Sequence, residues 1–266
     1  MDNQKKLTVK SAFKKIYGKA LSQHGFVWAK TKEPCFIRVV NNEIIHVFGI
    51  KDMKPNYVIP FAGAATLYRV NLLLDKTYRD MSNLYPNTSQ FCHDTRVEVI
   101  PERKHDYRLS SPESIQNAIQ ESLSDSMKWV LPELNTVQSL QDFLRYYQRL
   151  HINPLWIATL PLKKHGSGDN LEDKVIHYLL DDPVSAAKLL IANAEEDLEK
   201  RISEFPESYP QENVEYLKDK QRKRHGEILE SVYSFANDPV VRQHTLNELE
   251  RRRKANLEIL HSYGVL

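Results

Sequence analysis

Cysteine is scarce in this chain of 266 residues: Cys35 and Cys92 are its two. That is too few for a disulfide framework and suits a reducing compartment. Apolar runs are short, and none approaches the roughly 18 residues that a membrane-spanning helix requires. Met1 to Leu7 contain charges but no apolar stretch after them, so no secretory signal is expected. These absences lead to the expectation of a cytoplasmic protein without a membrane span.

Cofactor signatures are missing as well. Gly63 stands alone in Phe61-Ala62-Gly63-Ala64-Ala65, and Gly166-Ser167-Gly168 lacks the Lys-Ser/Thr of a nucleotide loop. His24, His46, His93 and His105, taken with the two cysteines, show no C-x-x-C or H-x-x-x-H spacing. No cofactor and no metal site is expected. The Phe61–Ala65 stretch reads as a chain reversal built from small residues.

What the chain does have is enough apolar material for a core, with 41% hydrophobic and 27% charged residues. The formal net charge of +2 argues against a general polyanion binder. Its distribution is uneven. Residues 1–150 hold 21 Lys+Arg against 15 Asp+Glu, whereas residues 151–266 hold 16 against 20.

Residues 8–24 read as an amphipathic helix with Val9, Phe13, Ile16, Ala20 and Leu21 on its core face, ended by His24-Gly25. The period then changes to short β-branched and aromatic runs: Phe26 to Trp28, Cys35 to Val40, and Ile44 to Ile50. Asn41-Asn42 is the hairpin turn between the last two, because Asn tolerates positive φ. Further strands are expected over Thr66 to Leu74 and Arg96 to Ile100. Links this short imply antiparallel pairing.

Ser110-Ser111-Pro112-Glu113 reads as a helix start. That helix carries Ile115, Ala118, Ile119 and Leu123 and is expected to end near Trp129 to Pro132. A second helix follows, with Val137, Leu140, Phe143, Leu144 and Tyr147 on one face. His151-Ile152-Asn153-Pro154 marks the expected boundary. Beyond it lie helices starting at Asp182-Pro183, near Glu212, and at Asp238-Pro239. The fold class is therefore α+β: a mainly antiparallel sheet flanked by helices over residues 1–150, then an all-helical region over 151–266, separate or docked.

Two clusters carry candidate chemistry. Cys92, His93 and Arg96 are the densest reactive group, since a thiol beside His and Arg can lose its proton and act as a nucleophile. Three residues separate Cys92 from Arg96, where a phosphatase loop needs about five, so a strand entry with structural hydrogen bonds is the competing reading. Lys10, Lys14, Lys15 and Lys19 form the better basic patch, with Asp2 the one acid before Glu33. The later basic runs, around Lys218 to His225 and Arg251 to Lys254, are interspersed with acids and read as salt-bridged helix faces.

The front part resembles the bacterial domain of unknown function 4304 family. Phe13, Ile16, Leu21 and Gly25-Phe26, the strand pair around Phe36 to Phe48, Cys92-His93 with Arg96, and Trp129 carry the likeness over roughly residues 8–150. It implies a compact α/β domain in a bacterial cytoplasm and assigns no activity. The leading expectation is a non-enzymatic protein-interaction module. The alternatives are a small-ligand binder or enzyme using a pocket near Cys92, His93 and Arg96, and nucleic-acid binding through the N-terminal helix.

Overall fold

A computed structural model describes residues 8–31, 34–53, 57–68, 107–108, 112–149 and 209–266, with isolated positions 199, 202 and 203. The chain forms two compact units: Met1–Leu150 together with Arg253–Leu266, and His151–Arg252. The first is α+β and the described part of the second is helical, as expected from the sequence.

Helix α1 (Val9–Leu21) opens the first unit. Thr8 caps it by accepting from the Ser11 amide, and Ser11 answers by accepting from the Thr8 amide, so two orphan donors are satisfied reciprocally. Val9, Ala12, Phe13, Tyr17 and Leu21 are buried, while Ile16 and Ala20 are half-buried. The core stripe therefore lies slightly round the cylinder from the one expected. The helix packs against both the sheet and a later helix over Pro112–Asp125, and Tyr17 meets the latter.

The sheet is a five-stranded antiparallel meander in chain order: β1 (Val27–Ala29), β2 (Cys35–Val40), β3 (Ile44–Met53), β4 (Tyr57–Thr66) and β5 (Tyr107–Arg108). Asn41 and Asn42 adopt φ of 52° and 55°, the left-handed conformations of a type I′ turn. The Glu43 amide closes that turn on the Val40 carbonyl.

Register then decides the two faces. Phe36 opposite Phe48, Arg38 opposite His46 and Val40 opposite Ile44 share one face with α1. Phe13, Tyr17, Phe26, Trp28, Phe36 and Phe48 form an aromatic layer there, with centroids 4.4 to 6.4 Å apart.

The Phe61–Ala65 stretch, expected as a loop, is the middle of β4, and Thr66 ends that strand rather than starting one. Small size is the reason for both facts. Ala62, Ala64 and Ala65 are buried opposite Phe48, His46 and Ile45, so large cross-strand neighbours fill the space that small residues leave. Residues 69–74 and 96–100 of the other expected strands lie outside the described residues, as does the helix start at Asp182-Pro183.

Helix α2 (Pro112–Asp125) passes through a π turn (Ser126–Val130) into α3 (Leu131–Asn135), so the helix does not end near Trp129 to Pro132 as expected. Pro132 has no N–H to give and clashes with a regular preceding turn. The wider π turn before it, closed by the Leu131 amide on the Ser126 carbonyl, lets the chain stay helical. Buried Tyr17 Oη sits 2.9 Å from Ser122 Oγ and 2.8 Å from Ser126 Oγ at this turn. Helix α4 (Leu140–Arg149) follows, with Leu140, Phe143 and Tyr146 buried.

The last two helices are α5 (Gln211–Asn237) and α6 (Pro239–Ser262). Asp238 Oδ1 accepts from the Val240 and Val241 amides, the cap expected of Asp-Pro. The end of α6 returns to the front unit, a return absent from the sequence reading. Leu260 joins Ala29, Cys35, Ile37, Ile45, Val47, Phe61, Ala65 and Leu67 in the core on the second face of the sheet. Buried Asn256 donates to the Leu67 carbonyl at 2.8 Å, so its amide fixes where the helix lies.

A Schellman cap ends α6: Gly264, at φ 71°, donates to the His261 carbonyl and Val265 to the Leu260 carbonyl. The Lys30 amide, just past β1, then donates to the Tyr263 carbonyl at 3.0 Å.

Gly49 on β3 is covered by the ring of its cross-strand neighbour Phe61, into which a Cβ would run. Gly49→Ala is expected to destabilise the front unit by about 1–3 kcal/mol through overpacking. Adding Phe61→Leu is expected to restore part of the loss. Urea unfolding of the two variants checks this, and additive losses would contradict it.

Candidate functional site

The described polar centre of the first unit was not singled out in the sequence. It grows from the β2–β3 hairpin, whose register sets Arg38 opposite His46. Arg38 donates through Nε (3.3 Å) and Nη2 (2.7 Å) to His46 Nδ1. Nη2 also donates to Asn135 Oδ1 at 2.7 Å, and Nη1 to the His24 carbonyl at 3.1 Å. The guanidinium carbon lies 4.6 Å from the centroid of the Phe26 ring. Counting outward from a two-residue Asn41-Asn42 turn would set Arg38 opposite Ile45; Glu43 also belongs to the connection, which moves the register by one and brings Arg38 opposite His46.

This geometry fixes the chemistry of His46. Arginine has no acceptor, so Nδ1 must accept, and the proton of the neutral ring sits on Nε2. His46 is fully buried, and burial, with the Arg38 charge beside it, pulls its pKa down to about 3. The Val137 backbone exerts a weaker pull toward protonation. Nε2 nevertheless reaches no partner at hydrogen-bonding distance and angle, and the geometry is the firmer guide. Burial also lowers the Arg38 pKa. The cluster is a neutral imidazole pinned by a cation, an arrangement that holds elements together and does not move protons near neutral pH.

Around it, Asn41 Nδ2 donates to the Gln138 carbonyl at 2.8 Å, so the hairpin turn is tied to the α3–α4 connection. On the opposite face of the sheet, Cys35 is a buried thiol outside any disulfide, with Sγ 3.2 Å from Thr31 Oγ1.

Cys92, His93 and Arg96 lie outside the described residues. Lys10, Lys14, Lys15 and Lys19 are all exposed on α1. Lys14 Nζ stands 5.2 Å from the Trp28 ring centroid. Among the described residues no group of three or more His, Cys, Asp or Glu is arranged to hold a metal. No helix among them is long and apolar enough to cross a membrane.

The basic residues of the second unit behave differently from those of α1. Lys218 pairs with Glu215 at 3.0 Å and Arg222 with Asp219 at 2.7 Å. Glu248 takes both Arg251 (2.8 Å) and Arg252 (3.2 Å), and its pKa falls to about 2 through those bonds, Arg251 first. Exposed large apolar side chains also occur in this unit: Tyr209, Tyr216, Tyr233 and Val240.

Compared with protein-family models, curated proteins and solved structures, the chain matches none.

Two outcomes test the polar centre. Arg38→Lys is expected to cost about 1–3 kcal/mol in urea unfolding, because one ammonium cannot reach three acceptors held by a planar fork. His46 makes stability depend on pH. Its folded pKa is below the unfolded 6.5, so the unfolded chain binds more protons and stability falls as pH drops from about 6.5 toward 3. The loss is about 1.4 kcal/mol per pH unit, or about 2 kcal/mol by pH 5. His46→Gln is expected to remove that slope; an unchanged slope would assign the titration elsewhere.

Proposed function

We propose that this chain is a non-enzymatic protein-interaction module of a bacterial cytoplasm. One observation carries the reading: Tyr216, Tyr233 and Val240 are 63%, 55% and 76% exposed on helices whose other described exposed positions are mainly charged or polar. A tyrosine gives a large amphipathic contact area at low entropic cost, and such residues are enriched at interfaces and among binding hot spots. Charged neighbours around them fit the polar rim of a transient contact.

The likeness of residues 8–150 to the domain of unknown function 4304 family belongs to the same proposal. It is supported by the helix ended at Gly25-Phe26 and the strand pair that follows. Burial of Cys35 as a thiol outside any disulfide supports a reducing compartment.

A photo-crosslinking residue placed at 216 or 233 in the native host tests the reading. A discrete protein adduct is expected from both positions and not from exposed Gln243. With the purified partner, Tyr233→Ala is then expected to weaken binding about tenfold or more. Crosslinks no more discrete than those from position 243 would sink the proposal.

A further inference from the structure

Helix α1 carries a charge pattern that its own stability does not explain. Lys10 and Lys14, and Lys15 and Lys19, are like-charge pairs at i,i+4, which repel. Lys10 also stands in the first turn, against the positive end of the helix dipole. None of the four meets a carboxylate among the described residues, and the helix contains no acid. Lys218, Arg222, Arg251 and Arg252 on α5 and α6 provide the contrast, since each holds an acid three or four positions away, and the remaining cations of those helices, exposed Lys220 and Lys223 among them, are interspersed with acids in the sequence. An unfavourable pattern kept on a well-capped helix points to an anion that arrives from outside.

The arrangement narrows the class of anion. At about 100° per residue, the Lys10–Lys14 row and the Lys15–Lys19 row lie roughly 140° apart around the helix. Exposed Ser11, bonded to Thr8, lies on the arc between them. Two rows of ammonium groups flanking a narrow exposed crest match the two phosphate rails beside a groove of about helix width. A flat acidic protein surface would engage one row. Phe13, Tyr17 and Leu21 hold the helix in the core, so the rows are fixed before any ligand binds.

We propose that the exposed side of α1 binds the phosphate backbone of double-stranded DNA without reading its sequence, Lys10, Lys14, Lys15 and Lys19 each contacting phosphate. This surface belongs to the first unit and its assignment does not depend on the tyrosines of the second.

The test titrates the full chain into a labelled mixed-sequence DNA duplex and follows anisotropy across a salt series. Binding is expected to weaken log-linearly with salt. Replacing Lys15 and Lys19 together by Gln is expected to shrink the slope by about 2 and weaken binding at least about tenfold near 50 mM salt. The charge-keeping pair Lys15→Arg and Lys19→Arg is expected to retain the slope, which separates loss of charge from loss of fold. Lys218→Gln with Arg222→Gln is expected to leave it unchanged. Absence of duplex binding at low salt, an equal loss from the α5 pair, or tighter binding of poly-L-glutamate than of duplex would overturn the proposal. The last result would give the surface to an acidic protein instead.

Discussion

Arg38 is the point on which the described front unit depends, because its guanidinium joins three elements at once. The His24 carbonyl ends the turn that extends α1, Asn135 ends α3, and His46 belongs to the sheet face on which both are met. No carboxylate neutralises the cation among the described residues. The His24 backbone carbonyl at the end of its helical turn and the side-chain amide oxygen of Asn135 supply partial negative charge instead, and a free carbonyl at a helix C-terminus favours a cation. Lysine could not replace the fork, which spends its donors in fixed directions on three separate acceptors. Burial of His46 as a neutral ring follows from the same bond. An imidazole that must accept on Nδ1 cannot also carry a second proton there.

That constraint explains how much of the fold was legible. Local chemistry was: Asn41-Asn42 set the hairpin, Asp238-Pro239 set the cap of α6, and the bounds of β2 follow from its β-branched run. Non-local complementarity was not. Phe61–Ala65 reads locally as small loop residues, and it becomes a strand because Phe48, Ile45 and Gly49 oppose it across the sheet. The return of α6 to the second face depends on Asn256 finding the Leu67 carbonyl and Leu260 finding the core, pairings that no window of sequence contains. Of the site readings, the lysines could be placed from helical spacing, whereas the Arg38–His46 pair was not legible, because Glu43 joins the turn and shifts the register by one residue from that of a two-residue loop.

The end of α6 shows how a mostly polar helix is positioned by few groups. Thr245, Leu249, Asn256 and Leu260 are its buried positions, and their spacing of four, seven and four keeps them on one stripe. Thr245 bonds the Val241 carbonyl and Asn256 the Leu67 carbonyl, so the polar members of the stripe are satisfied. Apolar contact then continues past the helix, because the Schellman cap brings Val265 back to Leu260.

Charge placement separates the two kinds of basic surface more clearly than charge totals do. Counting alone made the runs around Lys218 and Arg251 the denser ones, yet each described ion pair there consumes the field it would project. Exposed pairs of this kind contribute little to stability and chiefly neutralise their own helix. The α1 lysines hold no carboxylate among the described residues, Lys14 resting over the Trp28 ring, so their field reaches solvent across the Debye length, about 8–10 Å at physiological salt. A net charge of +2 therefore hides one helix with no acid of its own and others whose cations are interspersed with acids. The physical test for a basic surface is what each cation already touches, and by that test the α1 lysines face solvent without a paired acid among the described residues.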